Sequence, residues 1–317
     1  MALVLTRRDV ASLLTLDDCI AAVEDAFRRV GTGEARPAGI LGFPVAGGGF
    51  HVKAAALGDR FAAKVNGNFS ANPALGLPVI QGAILLSDSG NGRLLAVLDS
   101  IEITILRTGA ATAVAAKHLA RPTSRIATIC GCGNQGRVQL RALARVLPLR
   151  QAFVYDIEPS RAAALACELS GELRIEPVSD LAQAVARSDV CVTCTPSRKP
   201  VLHELRAGIF VAAVGADSPD KQELHPALLA SAKVVVDSLD QCAEIGELHH
   251  AIEARSMRRE DVHAELGEIV AGRKRGRTDD EEITVFDSTG TALQDVAAAS
   301  SVDAAATLLR RGIEIEL

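Results

Sequence analysis

Gly131, Gly133 and Gly136 stand in the hexapeptide GCGNQG, between a β-type apolar run and a helical pattern. The run before it, IATIC, reads as a strand. After it, Val138, Leu140, Leu143 and Val146 recur at helical spacing. A strand, a G-x-G-x-x-G turn and a helix together make a dinucleotide cradle. Gly131 permits the tight turn, Gly133 lets a pyrophosphate approach bare backbone, and Gly136 lets the helix pack close to the strand. The helix N-terminus offers its free N–H groups and positive dipole end to the phosphates. The next strand-like run, QAFVYD, ends in Asp156, twenty residues beyond Gly136. That is the position of a carboxylate that accepts from ribose hydroxyls.

From Arg125 onward, short apolar runs alternate with helical patterns. The runs are IATIC, QAFVYD, LRIEP, VCVTCT, IFVAAVGA, KVVVDS and ITVFDS. This rhythm predicts a mostly parallel, doubly wound sheet. The preceding segment differs. Two cap-like starts, TRRD and TLDD, come first, and the second opens a helix with Ile20, Val23, Phe27 and Val30 on one stripe. Four strand-like pieces follow (FHVKAAAL, RFAAKVNGNF, LPVIQGAILLSD and RLLAVLDS), the last two joined by an SGNG turn. IEITILRTGAATAVAAKHLA then reads as a long helix, and the tail TALQDVAAASSVDAAATLLRRG as another. The fold class is α/β, with a second, α+β part.

Composition excludes several functions. The 317 residues carry 48 % hydrophobic and 23 % charged residues, enough for about two domains with substantial cores. Aromatics are 3 % with no Trp, and the net charge is −5, which argues against a nucleic-acid partner. No apolar run approaches a membrane span, and the start lacks a signal-peptide layout, so the expected location is cytoplasmic. The CVTC pair, Cys191 and Cys194, has no second pair to make a zinc site and reads as buried, reduced thiols. His249 and His250 lack metal-ligand spacing and read as helix-surface or packing residues, so no metal is expected. The run from Arg273 to Glu282, RKRGR followed by DDEE, reads as a solvated surface loop.

Five stretches resemble the ornithine cyclodeaminase/mu-crystallin family, in its order: FAAKVNGNFSAN, LLAVLDSIEITILRTGAATAVAAKHLARP, GCGNQG, VGADSPDKQEL and VFDSTGTALQD. The resemblance implies a substrate-binding and dimerisation domain over residues 1–120, completed by a C-terminal helix in 291–317. It also implies a Rossmann-type NAD(P)-binding domain over 121–290, chemistry at the cleft between the two, and a homodimer. Carried over by position, Lys64 contacts substrate and Arg36 binds its carboxylate. Asp217 is the acid/base group, and Thr289 lines the substrate site. Arg107 lies at the cofactor phosphates, Asn134 and Gln135 in the pyrophosphate turn, Asp156 at the ribose, and Lys221 and Ser288 at further cofactor contacts. Read alone, Lys64 and Arg36 are ordinary surface charges and Asp217 a helix cap.

These residue types suit hydride transfer at the α-carbon of a small amino or imino acid. A guanidinium clamps a carboxylate with two parallel bonds, as expected of Arg36. A desolvated lysine can shed its proton, as expected of Lys64. A carboxylate facing the nitrogen can move the amine proton, as expected of Asp217. His51 and Lys53 share one strand face and are further candidates for substrate contact. Asp156 favours NAD(H), while Arg161, five residues on, offers a route to NADP(H). KVNGNF replaces the histidine-bearing version of the cyclodeaminases, FHVK stands where their far-amine glutamate is expected, and the chain ends at Leu317 without their extension. These departures favour an imine reductase or amino-acid dehydrogenase. The alternatives are an ornithine cyclodeaminase, which forms proline and ammonia with catalytic NAD, and a mu-crystallin-like protein that binds NADPH or a small ligand.

Overall fold

The computed structural model describes residues 1–35, 40–171 and 173–316. Its contacts divide it into two compact units, one of Met1–Arg107 with Thr291–Leu317 and one of Thr108–Gly290.

In the first unit the described strands form a seven-stranded sheet. Its order is Ile313–Ile315, Ala2–Leu5, Leu94–Asp99, Ile80–Asp88, Arg60–Asn68, Gly48–Leu57, Ile40–Val45. Neighbours are antiparallel except Ala2–Leu5 against Leu94–Asp99. The expected caps are present: Thr6 and Thr15 each accept from the backbone N–H three residues on. Alternation along Arg60–Asn68 sends Ala62, Lys64 and Asn66 to one face, where they are buried. The helix Ala292–Leu309 packs on that face, against Gly48–Leu57 and Arg60–Asn68. Phe61 and Val65 point the other way and are exposed. The short strands at Ala2–Leu5, Ile40–Val45 and Ile313–Ile315 have no counterpart among the runs picked out by apolar patterning.

In the second unit two of the described strands, Arg198–Leu202 and Gln222–Leu224, pair apart, and the other eight form a wholly parallel sheet. Its order is Ala264–Glu265, Lys233–Val236, Thr284–Asp287, Phe210–Ala213, Val190–Thr193, Ile126–Cys130, Gln151–Tyr155, Arg174–Pro177. Strands buried on both faces read as continuous apolar runs, which is why they were legible. Strand order reverses between Ile126–Cys130 and Val190–Thr193, the switch point at which doubly wound sheets bind ligands.

The basic–acidic run is not a solvated loop throughout. Arg277 reaches inward and donates to the carbonyls of Leu119 at 2.7 Å and Ile209 at 3.2 Å and to Thr284 Oγ1 at 2.9 Å. Its guanidinium ties together helix and strand ends whose carbonyls Thr284 also serves, through its Oγ1 to Leu119 at 2.8 Å and its N–H to Ile209 at 3.1 Å. The seven cysteines are free thiols, and no helix of the described residues is long and apolar enough to cross a membrane.

Candidate active site

Because all strands of the second sheet run one way, the loops at their carboxyl ends share one edge. The glycine turn, Asp156, Asp217, Lys221, Ser288 and Thr289 all lie on that edge.

The glycine turn has the geometry that its spacing predicts. Gly131 has φ +105°, and a Cβ there would lie 2.9 Å from the Cys194 carbonyl oxygen. A Cβ on Gly136 would lie 2.1 Å from the carbonyl oxygen of Gly131, so only glycine lets the helix Asn134–Val146 seat against the strand. Gly133 is the opposite case: a Cβ there meets nothing within 4 Å. It is the N-cap of that helix and supplies no side-chain cap, so the first-turn N–H groups are open. Asn134 is exposed and Gln135 half-buried at this end. Asp156 accepts from the Cys132 N–H at 2.8 Å and the Glu158 N–H at 3.0 Å, which ties the turn to the neighbouring strand end. Open backbone at Gly133, an uncapped helix end and a strand-end carboxylate fit a dinucleotide's pyrophosphate and ribose. Arg161 is held by Glu158 through two bonds of 2.9 Å.

Farther along the edge, Asp217 pairs with Lys221 at 2.5 Å, four residues on, with the aspartate about 39 % exposed. His250 Nε2 lies 2.8 Å from the Lys221 carbonyl oxygen and steadies this turn. Asp237, which sequence reasoning missed, organises the next loop. It accepts from Ser288 Oγ at 2.8 Å, Thr289 Oγ1 at 3.3 Å and the Gly290 N–H at 2.7 Å. Glu223, also missed, is wholly buried and accepts from the Thr195 and Gly215 N–H groups, at 2.6 and 3.0 Å. A strand-terminal acid in VVVDS and one in KQEL were the available signals.

In the first unit Lys64 is 3 % exposed and its Nζ lies 2.7 Å from the Asp295 carboxylate. Arg107, expected at cofactor phosphates, is buried beside it. Its Nε lies 3.3 Å from Asp295 Oδ1, and its Nη1 donates to Gln294 Oε1 at 3.1 Å. Lys53 stands opposite Lys64 in register on the adjacent strand and is also buried. Burial pushes the Lys64 ammonium down to about 7. Asp295 works against that shift, and Arg107 and Lys53 add to it. Burial would raise the Asp295 carboxyl, but Lys64 and Arg107 outweigh burial and hold it below the usual range. Asp295 and Gln294 were missed because an acid in a helical run reads as surface. Arg36 lies outside the described residues.

The family model for the ornithine cyclodeaminase/mu-crystallin family matches residues 1–307. An alanine dehydrogenase of Archaeoglobus fulgidus is 41 % identical over 305 residues, 95 % of this chain and 94 % of that protein. Among solved structures, an archaeal alanine dehydrogenase dimer with bound NAD superposes with a TM-score of 0.96 at 38 % identity, covering 99 % of each chain. The Δ1-pyrroline-2-carboxylate reductase of Thermococcus litoralis, in complex with NADH and L-proline, gives 0.96 at 34 % identity, over 99 % of this chain and 100 % of that one.

Proposed function

Since the chain belongs to the ornithine cyclodeaminase/mu-crystallin family, we propose that it is an NAD(H)-dependent reductase or dehydrogenase acting at the α-carbon of a small amino or imino acid. The substrate class is a cyclic ketimine such as pyrroline-2-carboxylate, or a linear imino acid. The observation that carries this reading is the pair of buried basic side chains, Lys64 and Arg107, sharing the single carboxylate of Asp295, which assigns Arg107 to the substrate carboxylate in place of the cofactor-phosphate role that the family resemblance implies. Buried charge demands compensation, and the carboxylate of an amino or imino acid supplies a second anion of the right size. Bound NAD(H) supplies the hydride. The chain's residues do the rest. The Gly131–Gly136 turn holds the pyrophosphate, Asp156 the ribose, Ser288 and Lys221 further cofactor atoms, and Thr289 lines the substrate's place. Asp217 moves the proton on nitrogen. Arg36 is a further carboxylate-binding candidate.

Asp156 repels a 2′-phosphate, and Arg161 is held by Glu158, so NAD(H) is preferred over NADP(H). The protein works as a homodimer. Its first sheet exposes a continuous apolar face with Leu41, Phe43, Phe50, Phe61, Val65 and Leu85, which a second copy would cover. The archaeal alanine dehydrogenase structure is a dimer. Free thiols throughout suit a reducing cytoplasm.

The test is a screen of pyrroline-2-carboxylate, piperideine-2-carboxylate and pyruvate with ammonia, each with NADH and NADPH. L-ornithine with catalytic NAD⁺ runs alongside. Oxidation of NADH with one of the imino acids supports the reading. Ammonia and proline from ornithine without net NADH would replace it with the cyclodeaminase. Tight NADPH or ligand binding without turnover would replace it with the binding protein.

A further inference from the structure

We propose that Asp295 is a positioning residue of this reaction, one that fixes Lys64 and Arg107 as a matched pair of cations for the substrate carboxylate. The inference rests on the functional reading above and adds a residue and a task to it. Asp295 lies in the first turn of the helix Ala292–Leu309, where the helix dipole favours an anion. Its carboxylate takes Lys64 Nζ at 2.7 Å and Arg107 Nε at 3.3 Å, and its neighbour Gln294 takes Arg107 Nη1 at 3.1 Å. Two consecutive residues of one helix turn thus grip cations delivered by a strand and by the helix Ser100–Leu119. All three charged groups are less than a tenth exposed, so water screens them little.

The consequence is control of charge. Lys64 sits among Arg107 and Lys53, both of which oppose its protonation, and Asp295 is the anion that favours it. Cys19, on the helix Leu16–Thr32, has a thiol pushed up to about 12 by burial and stays neutral. His51 shares the strand face of Lys53. With Asp295 in place, Lys64 gives up its proton across the neutral range, at about 7. A carboxylate arriving there finds one fixed cation, Arg107, and one that completes its charge as the substrate binds.

The experiment compares Asp295→Asn and Asp295→Glu with wild type, in the full chain, on the imino acid that wild type turns over. NADH affinity and thermal unfolding are measured beside kcat and KM from pH 5 to 10. An opposite charge at this range is worth about 1–3 pH units. In Asp295→Asn the alkaline limb of kcat/KM therefore moves to lower pH by that amount. KM at neutral pH rises about 10–100-fold, the value of a charge-assisted hydrogen bond, and NADH affinity stays as in wild type. Asp295→Glu keeps the charge but lengthens the reach, so the limb stays in place while KM rises. A purely structural residue would lower kcat at every pH without moving the limb. An Asp295→Asn profile that superimposes on wild type after scaling, or an Asp295→Glu variant with wild-type KM, overturns the inference. If Asp295→Asn does not fold, the Asp295→Glu variant alone decides. Wild-type protein inactive on every imino acid sinks the functional reading itself, and this inference with it; failure with an active wild type sinks this one alone.

Discussion

Gly136→Ala and Gly133→Val should separate the two tasks of the glycine turn. A Cβ on Gly136 would lie 2.1 Å from a backbone carbonyl oxygen, where about 3.4 Å is ordinary contact. The helix Asn134–Val146 must therefore move outward by more than an ångström or the turn must open. Overpacking of this kind costs about 1–3 kcal/mol. For a unit the size of Thr108–Gly290, each kcal/mol shifts the melting temperature by about 2–4 °C. Gly136→Ala should thus melt about 2–12 °C below wild type with no nucleotide present. A Cβ on Gly133 meets no protein atom within 4 Å, and Gly133 has φ −77°, which any residue adopts. The melting point of Gly133→Val should stay near wild type, since surface changes of this kind are worth about 0.5 kcal/mol or less. Its branched side chain occupies the ground over the open helix end, so NADH affinity should fall at least about tenfold, a loss of about 1.4 kcal/mol. Scanning calorimetry without ligand and a titration of NADH fluorescence give the two numbers. Wild-type NADH affinity in Gly133→Val, or a wild-type melting point in Gly136→Ala, would refute the reasoning.

Asp217→Asn keeps the shape of the side chain but removes the titrating carboxylate, so turnover should drop about 10²–10⁴-fold while NADH affinity holds; near-normal rates across pH would remove Asp217 from the proton's path. Asp156→Ser should narrow the NADH over NADPH preference by about tenfold or more, the worth of one charge-assisted hydrogen bond, read as a ratio of kcat/KM values; an unchanged ratio would show that this carboxylate does not select. Asp287 is wholly buried, and burial raises its carboxyl to about 7, against the opposing N–H groups of Leu248 and Glu247 and with some help from Asp237. The folded chain therefore binds a proton that the unfolded chain releases near pH 4, and the stability so contributed is lost as pH rises from about 4 through 7, by about 4 kcal/mol in all. Chemical denaturation at pH 5 and pH 8 should show about 3 kcal/mol of that loss in wild type and a flatter profile in Asp287→Asn; parallel profiles would contradict it.

The parallel sheet was legible because its strands are buried on both faces and carry apolar runs that need no partner to be recognised. The short strands Ala2–Leu5 and Ile313–Ile315 were not, because three or four residues carry too little periodicity and their pairing is set by contacts from opposite ends of the chain. The turn residues of the candidate site were legible for a related reason. Glycines and a strand-end aspartate are local signals, since the turn that needs them lies within a few residues. Asp295 was not: its partner, Lys64, lies 231 positions away, and nothing local marks an acid in a helix as buried. Asp237 stands at a strand end in VVVDS, but the loop it ties, at Ser288, lies 51 positions away. Arg277 misled for the same reason: a basic run reads as solvated until the carbonyls it serves, at Leu119 and Ile209, are seen around it.

The first unit is built from both ends of the chain, and this sets an order on its birth at the ribosome. Lys64 is made 231 positions before Asp295. At about 5–20 residues per second, the lysine waits roughly 10–45 s for its counter-ion. Through that interval the strands Gly48–Leu57 and Arg60–Asn68 lack the helix Ala292–Leu309 that covers their buried face. The second unit, with its glycine turn, by contrast, has all its parts once residue 290 is made. The second unit can therefore complete itself first, and the closing helix arrives last, bringing the carboxylate that makes burial of Lys64 affordable.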